Sequence, residues 1–250
     1  VIPVITADIL KSKIQDKYIE ELVGETWGVR DSGKISMHDI GSCYRKLYYK
    51  YNTSVKPREL DLKTYKQFMH GRVAHQYICE RLVSTGLTFS RPDFTFIDNT
   101  WNVVGKIDCI LRDPDDGRRF YILEIKPYYS AKVKDTLPDI MHIYQVQAYL
   151  RFFTMKDVEV SRTAFILYYL SWNFLDSDSY IIKEVPADPN IQAEIEEICR
   201  HINYKIPPEE TDLPCPRVPK ECMYCVYNHV CDHKSGEVID NGIEETASPS

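Results

Sequence analysis

Apolar positions recur at helical or strand spacing along most of the chain. Ile9, Leu10, Ile14, Tyr18 and Leu22 fall at helical spacing and predict an amphipathic helix over 7–22, which a polar stretch over 24–34 then ends. Ser36, with Asp39 three positions later, reads as a helix N-cap. Ile40, Cys43 and Leu47 follow as the inward stripe of a helix reaching Lys50. A longer helix over 62–83 carries Phe68, Gly71, His75, Ile78 and Leu82 on one face. Strands are expected over 89–97, 101–111 and 119–126, the last two joined by the turn sequence Asp113-Pro114-Asp115-Asp116-Gly117. A helix over 139–153, a hairpin from 163–170 and 180–185, and a helix over 190–204 complete the regular elements. Five prolines between 207 and 219 mark an irregular approach to a cysteine-rich end, and the polar tail after His233 reads as disordered.

Composition narrows the class. The chain has 250 residues, 44% hydrophobic and 27% charged, enough for one sizeable core or for a core plus a small appendage. The expected division is an N-terminal helical segment over 1–34, a core over 35–205, a cysteine-bearing segment over 206–233 and a tail over 234–250. No run approaches the roughly 18 apolar residues of a membrane span, and the start lacks a basic-then-apolar leader, so a cytoplasmic protein is expected. Lys and Arg number 31 against 37 Asp and Glu, a formal charge of -6, so any anionic partner must be held by local features. Cys215, Cys222, Cys225 and Cys231 crowd together while the other cysteines stand singly, a distribution that reads as metal ligation rather than a disulfide framework.

A turn centred near Asp115–Asp116 sets Asp108 opposite Glu124, with Lys126 two positions along the same face. Two facing carboxylates repel unless something positive lies between them, and a divalent cation is the simplest answer. Magnesium or manganese takes oxygen ligands and keeps water, while a nearby ammonium can orient that water, so the trio fits phosphodiester hydrolysis. His75 can add a nitrogen ligand.

These residues fall into an ordered series. Cys43 is followed by Arg45 and Lys46. Then come Gly71-x-x-x-His75, Gly105-x-x-Asp108, Glu124-x-Lys126, Gln145-x-x-x-Tyr149 and a terminal C-x2-C-x5-C at Cys222, Cys225 and Cys231. The series resembles the RecB-like branch of the PD-(D/E)XK nucleases, and within it the CRISPR-associated Cas-four exonucleases. The resemblance implies an α/β fold of the restriction-endonuclease type, a mixed central sheet flanked by helices. It implies a cation held by His75, Asp108, Glu124 and the Ile125 carbonyl, with Lys126 at the catalytic water. Gln145 and Tyr149 would contact DNA or support the site. It further implies a [4Fe-4S] cluster on Cys43, Cys222, Cys225 and Cys231, joining an early helix to the C-terminal region. The implied activity is a 5′-to-3′ exonuclease on single-stranded or frayed DNA, trimming fragments beside the CRISPR spacer integrase complex.

Alternatives stay open at this point. Zinc suits four thiolates as well, and Cys215 can complete a local four-cysteine site without Cys43, with His229 or His233 as further options. A viral or repair nuclease shares the motifs, and a catalytically silent docking module is the rival from another class. Tyr44, Tyr48, Tyr49 and Tyr51, interleaved with Arg45, Lys46 and Lys50, and Tyr128 and Tyr129 near Lys132 and Lys134, are candidates for a single-strand path.

Overall fold

The computed structural model describes residues 33–59, 62–88, 94–215, 218, 221–222 and 225–231. The helix expected over 7–22, residues 89–93 of an expected strand and the tail after His233 lie outside the described residues. In chain order come strand β1 (Ile35–Ser36), helices α1 (Tyr44–Asn52) and α2 (Leu62–Ser84), and strands β2 (Phe94–Asp98), β3 (Val103–Ile107), β4 (Cys109–Arg112) and β5 (Arg119–Tyr128). Helix α3 (Ile140–Phe152), strands β6 (Glu159–Val160), β7 (Thr163–Leu170) and β8 (Ile181–Pro186), and helix α4 (Pro189–Asn203) follow.

Two sheets share this chain. One has the order β1-β3-β2; the other has the order β4-β5-β7-β8, with β6 beside β5. Pairing is parallel for β1–β3, β5–β6 and β5–β7 and antiparallel elsewhere, so both sheets are mixed. Both faces of the larger sheet are covered, which is why β5 and β7 read as nearly continuous apolar runs. Phe120, Ile122, Ile166 and Tyr168 pack with α1, α3 and α4 on one side. Leu123, Ile125, Leu167 and Tyr169 pack with Ala74, Ile78 and Cys79 of α2 on the other.

The hairpin register matches expectation: Cys109 pairs with Leu123 and Ile110 with Ile122. Asp113 closes the turn, its Oδ1 accepting the N–H groups of Asp115 (2.9 Å) and Asp116 (3.2 Å). The expected strand over 101–111 is, however, two strands. The chain leaves the small sheet at Ile107, bends at Asp108 and enters the large sheet at Cys109.

Two further expectations are corrected. Ser36 is a strand residue paired with Val104 rather than a helix N-cap, because the backbone of β1 finds its hydrogen bonds on β3. Helix α1 begins only at Tyr44, so Cys43 is its buried N-cap residue and not part of its stripe. On α2 the buried face is Ala74, Ile78 and Cys79, and Phe68 is half exposed, so the covered stripe is rotated from the one expected. Helix α3 is capped by Asp139, whose Oδ1 accepts the Met141 N–H at 2.9 Å. Among the described residues no helix is long and apolar enough to cross a membrane.

Candidate active site

Asp108 owes its position to the bend between the sheets. Beyond Cys109 the edge of β5 has no partner from β4, and the freed Ile125 N–H donates to Asp108 Oδ2 at 2.7 Å. Residues that exchange ladder bonds present N–H and C=O on one edge, so the Ile125 carbonyl leaves β5 toward the same gap. From the opposite side of the large sheet, α2 brings His75 Nε2 to 2.9 Å from Asp108 Oδ1. Burial pushes the Asp108 carboxyl up, but the His75 hydrogen bond, the charges of His75 and Lys126 and the Ile125 N–H hold it below the ordinary carboxylate range.

Glu124 is almost wholly buried. Its Oε1 lies 2.6 Å from Lys126 Nζ and accepts from Gln145 Nε2 at 2.7 Å. Gln145 also donates to the Tyr149 hydroxyl (2.7 Å), which in turn donates to the Lys106 carbonyl (2.8 Å) of β3. A relay thus runs from Glu124 through α3 back to the strand that delivers Asp108. Burial first, then the nearby Asp108 charge, push the Glu124 carboxyl above the ordinary range against the pull of Lys126.

The Asp108 carboxylate meets His75 and that of Glu124 meets Lys126, and among the described residues no set of three or more His, Cys, Asp or Glu side chains is drawn together as a ready-made metal cage. The donor set nonetheless fits a hard cation. Glu124 Oε2 is buried with no hydrogen-bond partner, and such an oxygen, near a second carboxylate, an imidazole and a strand carbonyl, is what magnesium or manganese takes.

The other expected site residues fall elsewhere. Gln145 and Tyr149 are buried, so they support Glu124 and do not offer themselves to DNA. Arg45, named as a DNA contact, is bound to Glu209 at 2.7 Å, and Lys46 donates to Ser42 Oγ at 3.2 Å. Tyr48 is half-buried on the same helix. Of the second aromatic patch, Tyr128 is buried under Lys134 while Tyr129 is exposed.

The cysteines meet in a way the spacing left open. The Cys43 N–H donates to Glu221 Oε1 at 2.6 Å, and Cys43 Sγ lies 3.1 Å from Cys215 Sγ. Cys215 therefore stands beside Cys43. Burial first, then the charges of Cys231, Cys225, Glu221 and Cys215, push the Cys222 thiol up. Cys79 and Cys109 are buried thiols 3.5 Å apart, and Cys199 is buried separately.

One residue beside the trio escaped the sequence reading. His38, in the turn after β1, is exposed, and the Lys126 charge lowers its pKa against the pull of Asp39 and Asp108. The signal for it was the alternation Ile35-Ser36-Met37-His38, strand-like and too short to stand out.

No curated protein matches the chain. Among solved structures, SSO0001 is 19% identical with a TM-score of 0.58, covering 88% of this chain and 96% of that one. LHK-Exo in complex with dAMP is 14% identical with a TM-score of 0.48 over 69% of this chain and 87% of that one. Another structure of LHK-Exo, an alkaline exonuclease from Laribacter hongkongensis, is also 14% identical, with a TM-score of 0.42 over 72% and 91%. The likeness to SSO0001 extends to the fold. The family model described as the PD-(D/E)XK nuclease superfamily matches residues 72–232, which include His75, Asp108, Glu124 and Lys126, and the chain belongs to that superfamily.

Proposed function

We propose that the protein is a metal-dependent deoxyribonuclease with Asp108, Glu124 and Lys126 at its catalytic centre. The observation that carries the reading is the buried, unpartnered Glu124 Oε2 next to a second carboxylate and an ammonium group. His75, Asp108, Glu124 and the Ile125 carbonyl would hold magnesium or manganese, which when bound polarises a phosphoryl oxygen and acidifies its water. Lys126 orients the attacking water and stabilises the charge that develops on the phosphate. Gln145 and Tyr149 fix the Glu124 carboxylate so that its free oxygen keeps one direction. End-labelled single- and double-stranded DNA with magnesium, manganese or a chelator tests this. Cleavage should need the ion and fall about a hundredfold to a thousandfold in Lys126→Ala; cleavage that survives both chelator and Lys126→Ala overturns the mechanism.

The finer reading is an exonuclease on single-stranded or frayed ends, with 5′-to-3′ polarity and a role in trimming DNA before spacer integration. Its support is the order of the motifs from Cys43 to Cys231. A thiolate-bound centre at the C-terminal end belongs to the same reading, supported by Cys43 lying against the segment that carries the other cysteines. Iron and sulfide in anaerobically prepared protein, with absorption near about 400 nm, are expected. Colourless protein with stoichiometric zinc replaces the cluster with a zinc site.

A further inference from the structure

Helix α2 turns two residues toward the bend at Asp108. His75 and Cys79 are four apart and share one face of that helix. The imidazole is met on both sides: its Nε2 stands 2.9 Å from Asp108 Oδ1, and its Nδ1 stands 3.8 Å from Cys79 Sγ, within the reach of a thiol hydrogen bond. Cys79 Sγ lies 3.5 Å from Cys109 Sγ, and Cys109 is the residue that follows Asp108. The contacts close a ring, from Asp108 to His75 to Cys79 to Cys109 and back along the chain. Both thiols are buried, packed with Ala74, Ile78, Leu123 and Ile125.

The hydrogens of this ring can run one way. A carboxylate only accepts, so the proton of a neutral His75 is on Nε2 and Nδ1 keeps a lone pair. The Cys79 thiol donates to that lone pair, and the Cys109 thiol donates to Cys79 Sγ. When His75 turns its Nε2 lone pair to a cation, its proton has to sit on Nδ1, and the group facing Nδ1 has to accept. A carbonyl there would suit the second arrangement alone, and a methyl neither. A thiol serves both, because one atom carries a donor and an acceptor. His75 can then exchange tautomers without a ring nitrogen going unsatisfied among apolar side chains.

We propose that Cys79 is a positioning residue of the cation site: its thiol holds the Nδ1 side of His75, donating while Nε2 is bound to Asp108 and accepting once Nε2 faces magnesium or manganese. The proposal rests on the metal-dependent nuclease reading. A buried cysteine otherwise packs as a small apolar residue, and for packing alone valine would serve here. The approach of sulfur to Nδ1 is what separates the two roles.

The test compares wild type, Cys79→Val and Cys79→Ser. Manganese affinity of the DNA-free protein is read from the electron paramagnetic resonance of the free ion, with thermal unfolding of each variant, and Asp108→Asn identifies the manganese that belongs to this site. Cys79→Val keeps apolar volume and removes the contact, so affinity should fall about tenfold with an unfolding midpoint near wild type. Cys79→Ser keeps a donor and an acceptor, so affinity should stay within about threefold while the midpoint drops, a hydroxyl being harder to bury than a thiol. Packing alone predicts the reverse order of affinities. Wild-type affinity in Cys79→Val, or a loss in Cys79→Ser as large as in Cys79→Val, overturns the proposal. NMR of the histidine ring nitrogens gives a second readout: the His75 proton should stand on Nε2 in metal-free protein and on Nδ1 with magnesium, and a proton that stays on Nε2 also defeats it. If wild type binds manganese in this Cys79-dependent way yet cleaves no DNA, the positioning role stands and the nuclease reading falls. A wild type that takes up no manganese at Asp108 removes both.

Discussion

A carboxylate with one oxygen bound and the other buried and bare is expensive to keep, since an unsatisfied buried acceptor costs about 1–3 kcal/mol. Glu124 is such a residue, and the hydrogen bonds of Gln145 and Tyr149 hold it in that state. Tyr149→Phe strips the link between Gln145 and the Lys106 carbonyl. It should lower stability by about 1–3 kcal/mol in denaturant unfolding and reduce kcat while leaving KM near its wild-type value. A variant with wild-type kcat would show that the relay serves folding alone. His38 makes a second residue-scale prediction. The Lys126 charge holds its pKa below the ordinary value of 6.5, so below that pH the unfolded chain binds a proton that the folded chain refuses. Stability should therefore decline as pH falls below about 6.5. His38→Gln should flatten the pH dependence of the unfolding midpoint in that window, and an unaltered slope would refute it. Most of the candidate site was legible at this scale, because a Gly-x-x-Asp, a Glu-x-Lys and a Gln four residues before a Tyr keep their spacing whatever surrounds them. His38 was not legible, since a lone histidine next to Asp39 resembles any polar turn until β3 lies beside it.

Elements became legible in proportion to the length of their periodic signal. The hairpin of β4 and β5 declared its register through the Asp113 turn, and α3 its start through Asp139. The break of one expected strand at Asp108 left no mark, because Ile107, Cys109 and Ile110 are all buried and read as one apolar run while the chain changes sheets between them. Likewise β1 has only two residues, too few for a period, and it forms because β3 offers an open edge. The turn that follows it is held by close approach rather than by propensity, and Gly41 is where that is tested. Gly41→Ala places a methyl against the Met141 backbone, which cannot yield as a side-chain tip can. Overpacking of this kind costs about 1–3 kcal/mol. That loss should be read as a lower stability in denaturant unfolding. Wild-type stability in Gly41→Ala would mean that α3 and the turn separate freely.

At the scale of the whole molecule, the chain closes on itself. The sequence suggested a cysteine-bearing appendage over 206–233 beside a nuclease core, and described residues of this stretch are laced onto α1 and the segment that follows it by contacts that no spacing announces. The Tyr44 hydroxyl donates to the Ile206 carbonyl (2.7 Å), Arg45 pairs with Glu209, the Arg58 N–H donates to the Val226 carbonyl (2.8 Å), and Tyr49 reaches the Val230 carbonyl (3.2 Å). Each joins residues far apart in sequence, and such long-range pairings depend on the finished fold rather than on local pattern. The tightest is the Glu221 carboxylate on the Cys43 N–H, at the N-terminus of α1, where a first-turn donor has no partner of its own helix. Glu221→Ala leaves that N–H buried and unpaired, at a cost of about 1–3 kcal/mol, and a chain of this size loses about 2–4 °C of unfolding midpoint for each kcal/mol. Glu221→Gln keeps an acceptor oxygen and should recover most of the loss. The midpoint should move as one transition for the whole chain, because the last segment and the first helix of the core share these bonds. If Glu221→Ala instead splits unfolding into two transitions, with the nuclease core melting at its wild-type temperature, the C-terminal segment is an independent unit and does not brace the fold.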